Sequence, residues 1–173
     1  MPPLPSSPAP PAAAVDGALF RAGMRRFASS VCLITARYDD RRHGFVATSV
    51  SSLAAEPPSL IACVHRSASA HGPIRQAGMF CVNLLGTRHE ELAVLFSDPG
   101  RRDRRFETSG WTTLATGAPV LADAVAAFDC RLDRVVEHAT HAILIGTVLD
   151  IRVDDPCDPL IHSDRRFTRL AAR

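Results

Sequence analysis

Residues 44–58, GFVATSVSSLAAEPP, together with the run SLIACVH at 59–65 that follows at once, decide the fold of this chain. The first stretch is small and rich in hydroxyl groups, so its backbone can run close to a flat ligand while N–H and O–H groups remain free to donate. Pro57 and Pro58 exclude a helix and favour an extended entry into the second run, which is apolar on both faces as in a buried strand. Two interpretations stay open: a ligand site, or two strands joined by a serine-rich turn with no ligand.

Outward from this stretch, the apolar pattern predicts many short strands. They are predicted at 31–36, 44–49, 60–64, 79–85, 128–133 and 141–153. In the strand at 128–133, Asp129 belongs to the charged alternates that are expected on the solvent side. The alternation slips at 134–136, which predicts a bulge or a strong twist. Short strands with turn signals favour a closed antiparallel barrel.

The remaining pattern predicts few helices and one long connection. Asp16 is expected to cap a first helix, and a second helix is predicted at 67–77. Thr87 and Glu90 have the spacing of a capping box for a third. Residues 97–117 form a connection that contains the charge run RRDRR, and loops of this length are uncommon unless they are functional or mobile.

Composition excludes several classes of protein. The 173 residues are 46% hydrophobic and 22% charged, which is typical of one globular domain, and the net charge of +2 does not point to nucleic acid or an anionic membrane. The chain has no lysine, which excludes a Walker-type phosphate loop and a pyridoxal Schiff base. Residues 1–14 are rich in proline and are predicted to be a disordered tail before a domain at 15–173. Five cysteines without a CxxC pair, and no apolar run of membrane-spanning length, predict a cytoplasmic protein.

Several motifs occur in an order and spacing typical of one known family. They are Gly44 with ATSV at 47–50, PP at 57–58, CVHRSAS at 63–69, FCVNLL at 80–85, GAPVL at 117–121, HAILIGTV at 141–148 and PLI at 159–161. In this order the chain resembles the short-chain flavin reductases, the reductase components of two-component flavin-dependent monooxygenases. The resemblance covers roughly residues 18 to 170, almost all of the chain outside the N-terminal tail.

The resemblance implies a fold and an activity. The fold is a mainly β, antiparallel split barrel of Greek-key type with a few peripheral helices, and it forms a homodimer, for which the apolar residues 143–145 are a candidate surface. The activity is that of an NAD(P)H-dependent flavin reductase of the EC 1.5.1 type. Such an enzyme passes a hydride from NADH or NADPH to free FAD or FMN and supplies the reduced flavin to a partner monooxygenase. No membrane and no nucleic acid takes part.

Two alternative functions stay open at this point. The same barrel serves non-catalytic proteins that bind flavin or haem, and fold alone cannot separate these from an enzyme. A relative that keeps FMN and oxidises a substrate in place, as pyridoxamine-phosphate-oxidase-like barrels do, is a third possibility. The missing lysines weigh against it, because such proteins use basic groups to hold a phosphorylated substrate.

The resemblance also implies a set of flavin contacts. The candidates are Thr48, Ser49, Val50, Ser51, Val64, Arg66, Ser67, Ser69 and Asn83. Ser67 and Ser69 are expected where a helix begins, so they either meet a flavin phosphate, with Arg66 adding charge, or simply cap the helix. Asn83 either reaches the flavin ring or ties a turn. The family usually has a polar residue where this chain has Ala70.

On the nicotinamide side, the candidates are His141 as the catalytic residue and Arg166 with Phe167 as binding residues. His141 matches a histidine that follows a Gly-Asp pair in the family, whereas Ala139-Thr140 precedes it here. Arg165 lies where the family usually has glycine, which predicts a different turn. A metal site is not expected, because His138 and His141 are three residues apart at the start of a strand and need not share a face.

Overall fold

The computed structural model describes residues 15–107, 110–154 and 158–171. The predicted tail at 1–14 lies outside these residues. The strands are β1 (Ser29–Ser30), β2 (Cys32–Tyr38), β3 (Arg41–Ala47), β4 (Val50–Ala55), β5 (Pro58–His65), β6 (Met79–Leu84), β7 (Trp111–Thr113), β8 (Pro119–Leu121), β9 (Ala126–His138), β10 (His141–Val153), β11 (Ile161–Ser163) and β12 (Arg166–Thr168). The helices are α1 (Gly17–Met24), α2 (His71–Ala77) and α3 (Glu90–Ser97), and short 3-10 turns occupy Thr87–His89 and Pro99–Arg104.

One antiparallel sheet of seven strands dominates the molecule, in the order β3-β2-β6-β9-β10-β5-β4. Its two edge strands, β3 and β4, are joined only by Thr48 and Ser49. Three Cα–Cα steps of about 3.8 Å keep the two strand ends within about 11 Å, so the sheet curls until its edges meet. The mainly β, antiparallel prediction is confirmed, although no ladder closes β3 onto β4 among the described residues.

Most of the serine-rich stretch is a strand, so the interpretation of it as a turn between two strands is wrong. Residues Val50–Ala55 form β4, which pairs with β5 through a turn at Glu56 and Pro57. Five of its six residues are exposed, because β4 is an edge strand that packs little against the core. In β5 the alternation is clear, since Leu60, Ala62 and Val64 are buried.

The predicted break in β9 is confirmed and falls at Asp133. Ile145 of β10 pairs with Arg134, and the next residue, Gly146, pairs with Leu132, so Asp133 is the extra residue of a bulge. Gly146 is required here, because a Cβ atom at this position would lie 2.7 Å from Cζ of Phe80. Bulge and glycine together let β10 cross closely over the buried Phe80 ring.

The prediction that Asp129 faces solvent is wrong. Its side chain is fully buried, and it accepts hydrogen bonds from the backbone N–H of Thr116, at 2.6 Å, and from the Thr116 hydroxyl, at 2.5 Å. The segment around β7 and β8 covers this face of β9, so the alternating pattern of the strand does not report the exposure of its charged members.

The predicted helix caps are found only in part. The Asp16 side chain caps α1 by accepting from the N–H of Ala18 at 3.0 Å, as predicted. The capping box of Thr87 and Glu90 is not formed. Instead, Nδ1 of His89 accepts from the N–H of Gly86 at 3.0 Å, and this bond orders the turn that leads into α3. No helix in the described part of the chain is long and apolar enough to span a membrane.

The expected dimer surface at 143–145 is not exposed as a whole. Leu144 is fully buried in the main core, whereas Ile143 and Ile145 alternate to the other face of β10 and are half-buried. Large apolar side chains are exposed elsewhere. They include Val15, Leu19, Phe20, Met24 and Phe27 on and around α1, Leu53 on β4, and Leu149, Ile151 and Val153 at the end of β10.

Candidate functional site

A cleft of about 580 Å³ opens where the curled sheet brings its two edges together. Its walls come from the end of β3 with Thr48 and Ser49, the end of β5 with the turn that follows, the start of β10, β11 with β12, and residues 96–105. This volume lies within the range of small-molecule sites. A second groove, of about 650 Å³, is larger and mostly apolar, and it runs beside β4 on the other side of the strand. The cleft is the better candidate because polar groups converge in it.

Two of the four predicted hydroxyl-stretch residues line the cleft. Thr48 and Ser49 do so, and Ser49 is fixed by a bond from the Cys63 N–H to its carbonyl at 3.1 Å. Val50 and Ser51 line the second groove instead. The reason is that β4 begins at Val50, where the chain turns away from the cleft and pairs with Ala62 of β5.

Val64 and Asn83 do not line the cleft. The Val64 side chain lies in the main core, and strand alternation gives the cleft its neighbours Cys63 and His65. Asn83 is fully buried, and its amide donates to the carbonyl of Leu33 and accepts from the N–H of Leu121. Its side chain is therefore committed to holding strands together.

Ser67 and Ser69 line the cleft, but not at the start of a helix. The helix α2 begins at His71 and its N-cap is Ala70, which makes no side-chain cap bond, so neither serine caps it. The Ser67 hydroxyl lies 2.7 Å from Nδ1 of His65. Arg66 lies outside the lining and forms an ion pair with Glu137 at 3.7 Å.

His141 faces a second histidine across the sheet. The strand register places it opposite His65, and the two rings meet edge to face with centroids 4.8 Å apart. His65 Nδ1 accepts from the N–H of Ser67 at 3.1 Å, so its neutral ring carries the proton on Nε2. His141 Nδ1 lies 2.9 Å from the Thr140 hydroxyl. Sequence reasoning missed the role of His65, because only the pairing of β5 with β10 brings it to His141.

Phe167 lines the cleft together with His162, the two rings being 5.8 Å apart across the β11–β12 hairpin. Arg166 is exposed and outside the lining, because adjacent strand residues point to opposite faces. Two positions where the family usually has glycine carry other residues here but keep a positive φ. Arg165 has φ 64°, and Ala139 before His141 has φ 47°, both in the left-handed region that favours glycine.

Two arginines of the charge run form a wall that the sequence did not assign. Arg102 and Arg105 both line the cleft, and Arg105 is only 7% exposed. Its guanidinium donates to the carbonyl of Gly44 at 2.9 Å and to that of Asp98 at 3.2 Å. The predicted loop at 97–117 is thus an ordered cover in its described part, with a 3-10 turn and the strand β7.

The cleft therefore combines aromatic walls, hydroxyl groups, three imidazoles and two positive charges. These groups fit a flat ligand that carries an anionic group, because rings pack on aromatic and apolar faces while hydroxyls and guanidinium groups donate to oxygens. Among the residues that the structure describes, no three His, Cys, Asp or Glu side chains are grouped as a metal would require.

Comparison with known proteins identifies the family of this chain. The family described as "Flavin reductase like domain" matches residues 24–171. The chain is 39% identical over 158 residues to the FMN reductase (NADH) RutF of Pantoea ananatis, covering 91% of this chain and 83% of that protein. It is 38% identical over 151 residues to the RutF of Agrobacterium fabrum, covering 87% of each.

Solved structures with the same fold are similar over most of the chain. BorF, the flavin reductase component of a bacterial two-component tryptophan halogenase, has a TM-score of 0.84 at 32% identity and is matched over 91% of this chain and 100% of its own. The NADH:FAD oxidoreductase SgcE6 of Streptomyces globisporus, in complex with NAD and FAD fragments, has a TM-score of 0.83 at 28% identity, over 90% and 93%.

Proposed function

Because this chain belongs to the family of flavin reductase like domains, we propose that it is an NADH-dependent flavin reductase that transfers a hydride from the nicotinamide to a free flavin. The observation that carries the proposal is the convergence of Thr48, Ser49, Ser67, His141 and Phe167 on one cleft. These residues are far apart in the sequence, and each of them was predicted as a site residue. Family membership, which the motifs predicted, supplies the class of reaction.

The relatives favour particular reactants within this class. Matches named FMN reductase (NADH) support FMN and NADH as the first pair, and the similarity to an NADH:FAD oxidoreductase keeps FAD as a second flavin. Similarity to a component of a two-component tryptophan halogenase supports release of the reduced flavin to a partner flavin-dependent monooxygenase or related oxygenase. NADPH is the alternative reductant in the same assay.

The residues of the cleft can do what this reaction demands of a protein. The flavin accepts the hydride, so the chain has only to bind both rings, orient them and exclude water. Thr48 and Ser49 offer hydroxyl and backbone groups to the polar edge of a flat ring, and the Nε2–H of His65 is free to donate into the cleft. Phe167 and Phe45 supply apolar surface for stacking.

A direct assay tests the proposal. Purified protein is incubated with each of NADH and NADPH and with catalytic amounts of FMN or FAD, and loss of the reduced nicotinamide is followed by absorbance. We expect turnover only when flavin is present. Flavin binding without turnover for all four pairs would instead support the non-catalytic binding protein.

We also propose a homodimer in which the curled sheet forms a split barrel of Greek-key type. Three exposed apolar groups support it, on α1, on β4 beside the second groove, and at the end of β10. Exposed apolar side chains in such number favour coverage by a partner. Light scattering should give twice the mass of one chain, and a monomer at micromolar concentration would contradict the proposal.

The thiols fit the proposed cytoplasmic location. Cys32, Cys63, Cys81 and Cys130 are all free. Burial raises the pKa of the Cys32 thiol to about 12, and burial with the nearby Asp129 and Asp133 raises that of Cys130 to about 12, so both remain protonated. Free thiols of this kind are typical of a reducing compartment.

Replacing His141 by alanine should lower turnover about tenfold, which corresponds to about 1.4 kcal/mol of transition-state stabilisation. The ring borders the cleft beside His65, where it can orient the nicotinamide, and alignment of the reacting rings governs the rate. Flavin affinity and melting temperature should change little, because His141 is exposed.

The matched control for this variant is His138→Ala. His138 is paired with His141 in the β9–β10 hairpin but lies outside the cleft lining, so its removal should leave turnover unchanged. Equal activity of both variants and the wild type would return His141 to a purely structural role. The same conclusion would follow if His141→Ala lost folding and flavin binding together.

A further inference from the structure

A group of arginines lies on two neighbouring elements, the helix α1 and the β11–β12 hairpin. The N–H of Asp164, in the hairpin turn, donates to the carbonyl of Arg25 at the end of α1, at 3.1 Å, so the two elements form one continuous surface. All members of the group are exposed except Arg25, which is half-buried. We call this group the arginine rim, and its members are Arg21, Arg25, Arg26, Arg165, Arg166 and Arg169.

The arginine rim is strongly positive although the chain as a whole is nearly neutral. Residues 16–28 and 161–170 hold six of the 20 arginines but only two of the 18 acidic residues, Asp16 and Asp164. The Asp16 carboxylate is engaged in capping α1. No arginine of the rim forms an ion pair within 4.0 Å with another described residue. The rest of the chain has more acidic residues than arginines, so its positive charge is concentrated at the rim.

The rim borders a groove that is continuous with the cleft. The groove has a volume of about 510 Å³ and lies between α1 and the β11–β12 hairpin. Its arginine wall consists of Arg21, Arg25 and Arg165. The groove and the cleft share three lining residues, so a ligand that enters the cleft from this side passes the rim. The shared residues are Thr48, Ser49 and His162.

Two members of the rim are placed to act through their charge and not through contact. Arg26 and Arg166 line neither the groove nor the cleft, and both are exposed. Each follows directly after an arginine that lines the groove, Arg25 in the first case and Arg165 in the second. Their charges are therefore close to the opening, while their side chains lie outside it. These two positions separate a long-range electrostatic effect from direct binding.

From this arrangement we infer that the arginine rim steers anionic reactants into the cleft and so raises the rate constant of their association. The identity of the reactants rests on the proposed function, since FMN with its phosphate and NADH with its diphosphate are both anionic. Charge of one sign around a cleft raises association rate constants by about 10- to 10³-fold, and salt weakens the effect. The Debye length is about 10 Å at 0.1 M ionic strength, so charges just outside the opening still act on a ligand that approaches it.

The experiment compares the binding of FMN with that of riboflavin, which has the same ring system and no phosphate. Stopped-flow flavin fluorescence gives the association and dissociation rate constants at low and at high sodium chloride. In the wild type, association of FMN should slow as salt is added, whereas association of riboflavin should not. At low salt, FMN association should be about threefold slower in Arg26→Gln/Arg166→Gln and about tenfold slower in Arg26→Glu/Arg166→Glu. Dissociation should be unchanged, because neither side chain lines the cleft.

Two matched variants control for contact and for net charge. Arg26→Lys/Arg166→Lys keeps both charges and should bind FMN at the wild-type rate. Arg41→Gln/Arg134→Gln removes the same charge elsewhere and should also leave the rate unchanged. Arg41 is exposed at the end of β3 that lies away from the cleft, and Arg134 is exposed on β9, which contributes no residue to the cleft lining.

Several results would overturn the inference. The same FMN association rate constant at low and high salt in the wild type would exclude steering. Slow FMN association in the lysine variant would mean that the guanidinium groups make a specific contact, and an equal loss in Arg41→Gln/Arg134→Gln would assign the effect to net charge. Slower riboflavin association in the glutamine variant would indicate an altered cleft. If the wild type binds FMN but oxidises no NADH, the proposed function fails, and the association rate constants still decide the role of the rim.

Discussion

Replacing Gly44 by alanine should lower the free energy of unfolding by about 1–3 kcal/mol, the usual range for overpacking a tight site. A Cβ atom at Gly44 would lie 2.8 Å from Cε1 of Phe96, 3.1 Å from the Ile34 carbonyl oxygen and 3.3 Å from Cζ of Phe106. Phe96 is almost fully buried and has aromatic neighbours, so its ring cannot move aside without disturbing them. Chemical denaturation measures the change.

The same variant should also weaken the cleft. Arg105 donates to the Gly44 carbonyl and lines the cleft, so a shift of β3 against α3 moves the guanidinium, and flavin affinity should fall together with stability. Gly23→Ala is the matched control: apart from its chain neighbours and its own helix backbone, no atom lies within 4 Å of a Cβ there, and the residue is exposed in α1, so the change should be neutral or stabilising by up to about 1 kcal/mol. A Gly44→Ala protein as stable as Gly23→Ala would contradict the close packing.

A compensating change can separate the two causes. In the double variant Gly44→Ala/Phe96→Leu the smaller leucine side chain makes room for the new Cβ atom. The destabilisation should therefore be smaller than the sum of the two single changes, because the two residues share one contact and their effects are not additive. Strict additivity of the two changes would mean that the clash with Phe96 is not the origin of the loss.

The strands could be predicted from the sequence because apolar periodicity is a local property. The order of β2, β3, β5, β6 and β10 along the chain was predictable in this way, and the bulge in β9 showed as a slip in the alternation. The family, too, could be identified, because its motifs are spread over almost the whole chain. Periodicity does not show whether a distant segment packs on a strand and buries its polar face. Asp129 is such a case, because the segment that contains Thr116 covers it.

The site was predictable only at the level of stretches. In an extended segment a shift of one residue changes the face on which a side chain lies, so Val64 was chosen although Cys63 and His65 line the cleft. The His65–His141 contact depends on the register between β5 and β10, and Arg105 reaches Gly44 from 61 residues away. Neither juxtaposition has a local sequence signal.

Replacing Asn83 by alanine should give the largest loss of stability, about 3 kcal/mol or more. The fully buried amide donates to the Leu33 carbonyl at 3.2 Å and to the Thr35 hydroxyl at 3.1 Å, and its oxygen accepts from the Leu121 N–H at 2.7 Å. Truncation leaves buried groups without partners at about 1–3 kcal/mol each, and a cavity adds to this. Because Asn83 joins β2, β6 and β8 without lining the cleft, flavin affinity of the folded protein should be unchanged.

A double-mutant cycle with Thr35→Ala tests whether these contacts act as one network. Thr35 accepts from Asn83 and donates to the Pro119 carbonyl, so the second change should cost less once the first has been made. Denaturant titration of the four proteins gives the coupling free energy, and flavin titration of the folded variants gives the affinity. A stable Asn83→Ala protein with weakened flavin binding would place the amide on the ligand after all. The expected pattern is the opposite, in which the residue holds β8 against the sheet and the cleft keeps its affinity.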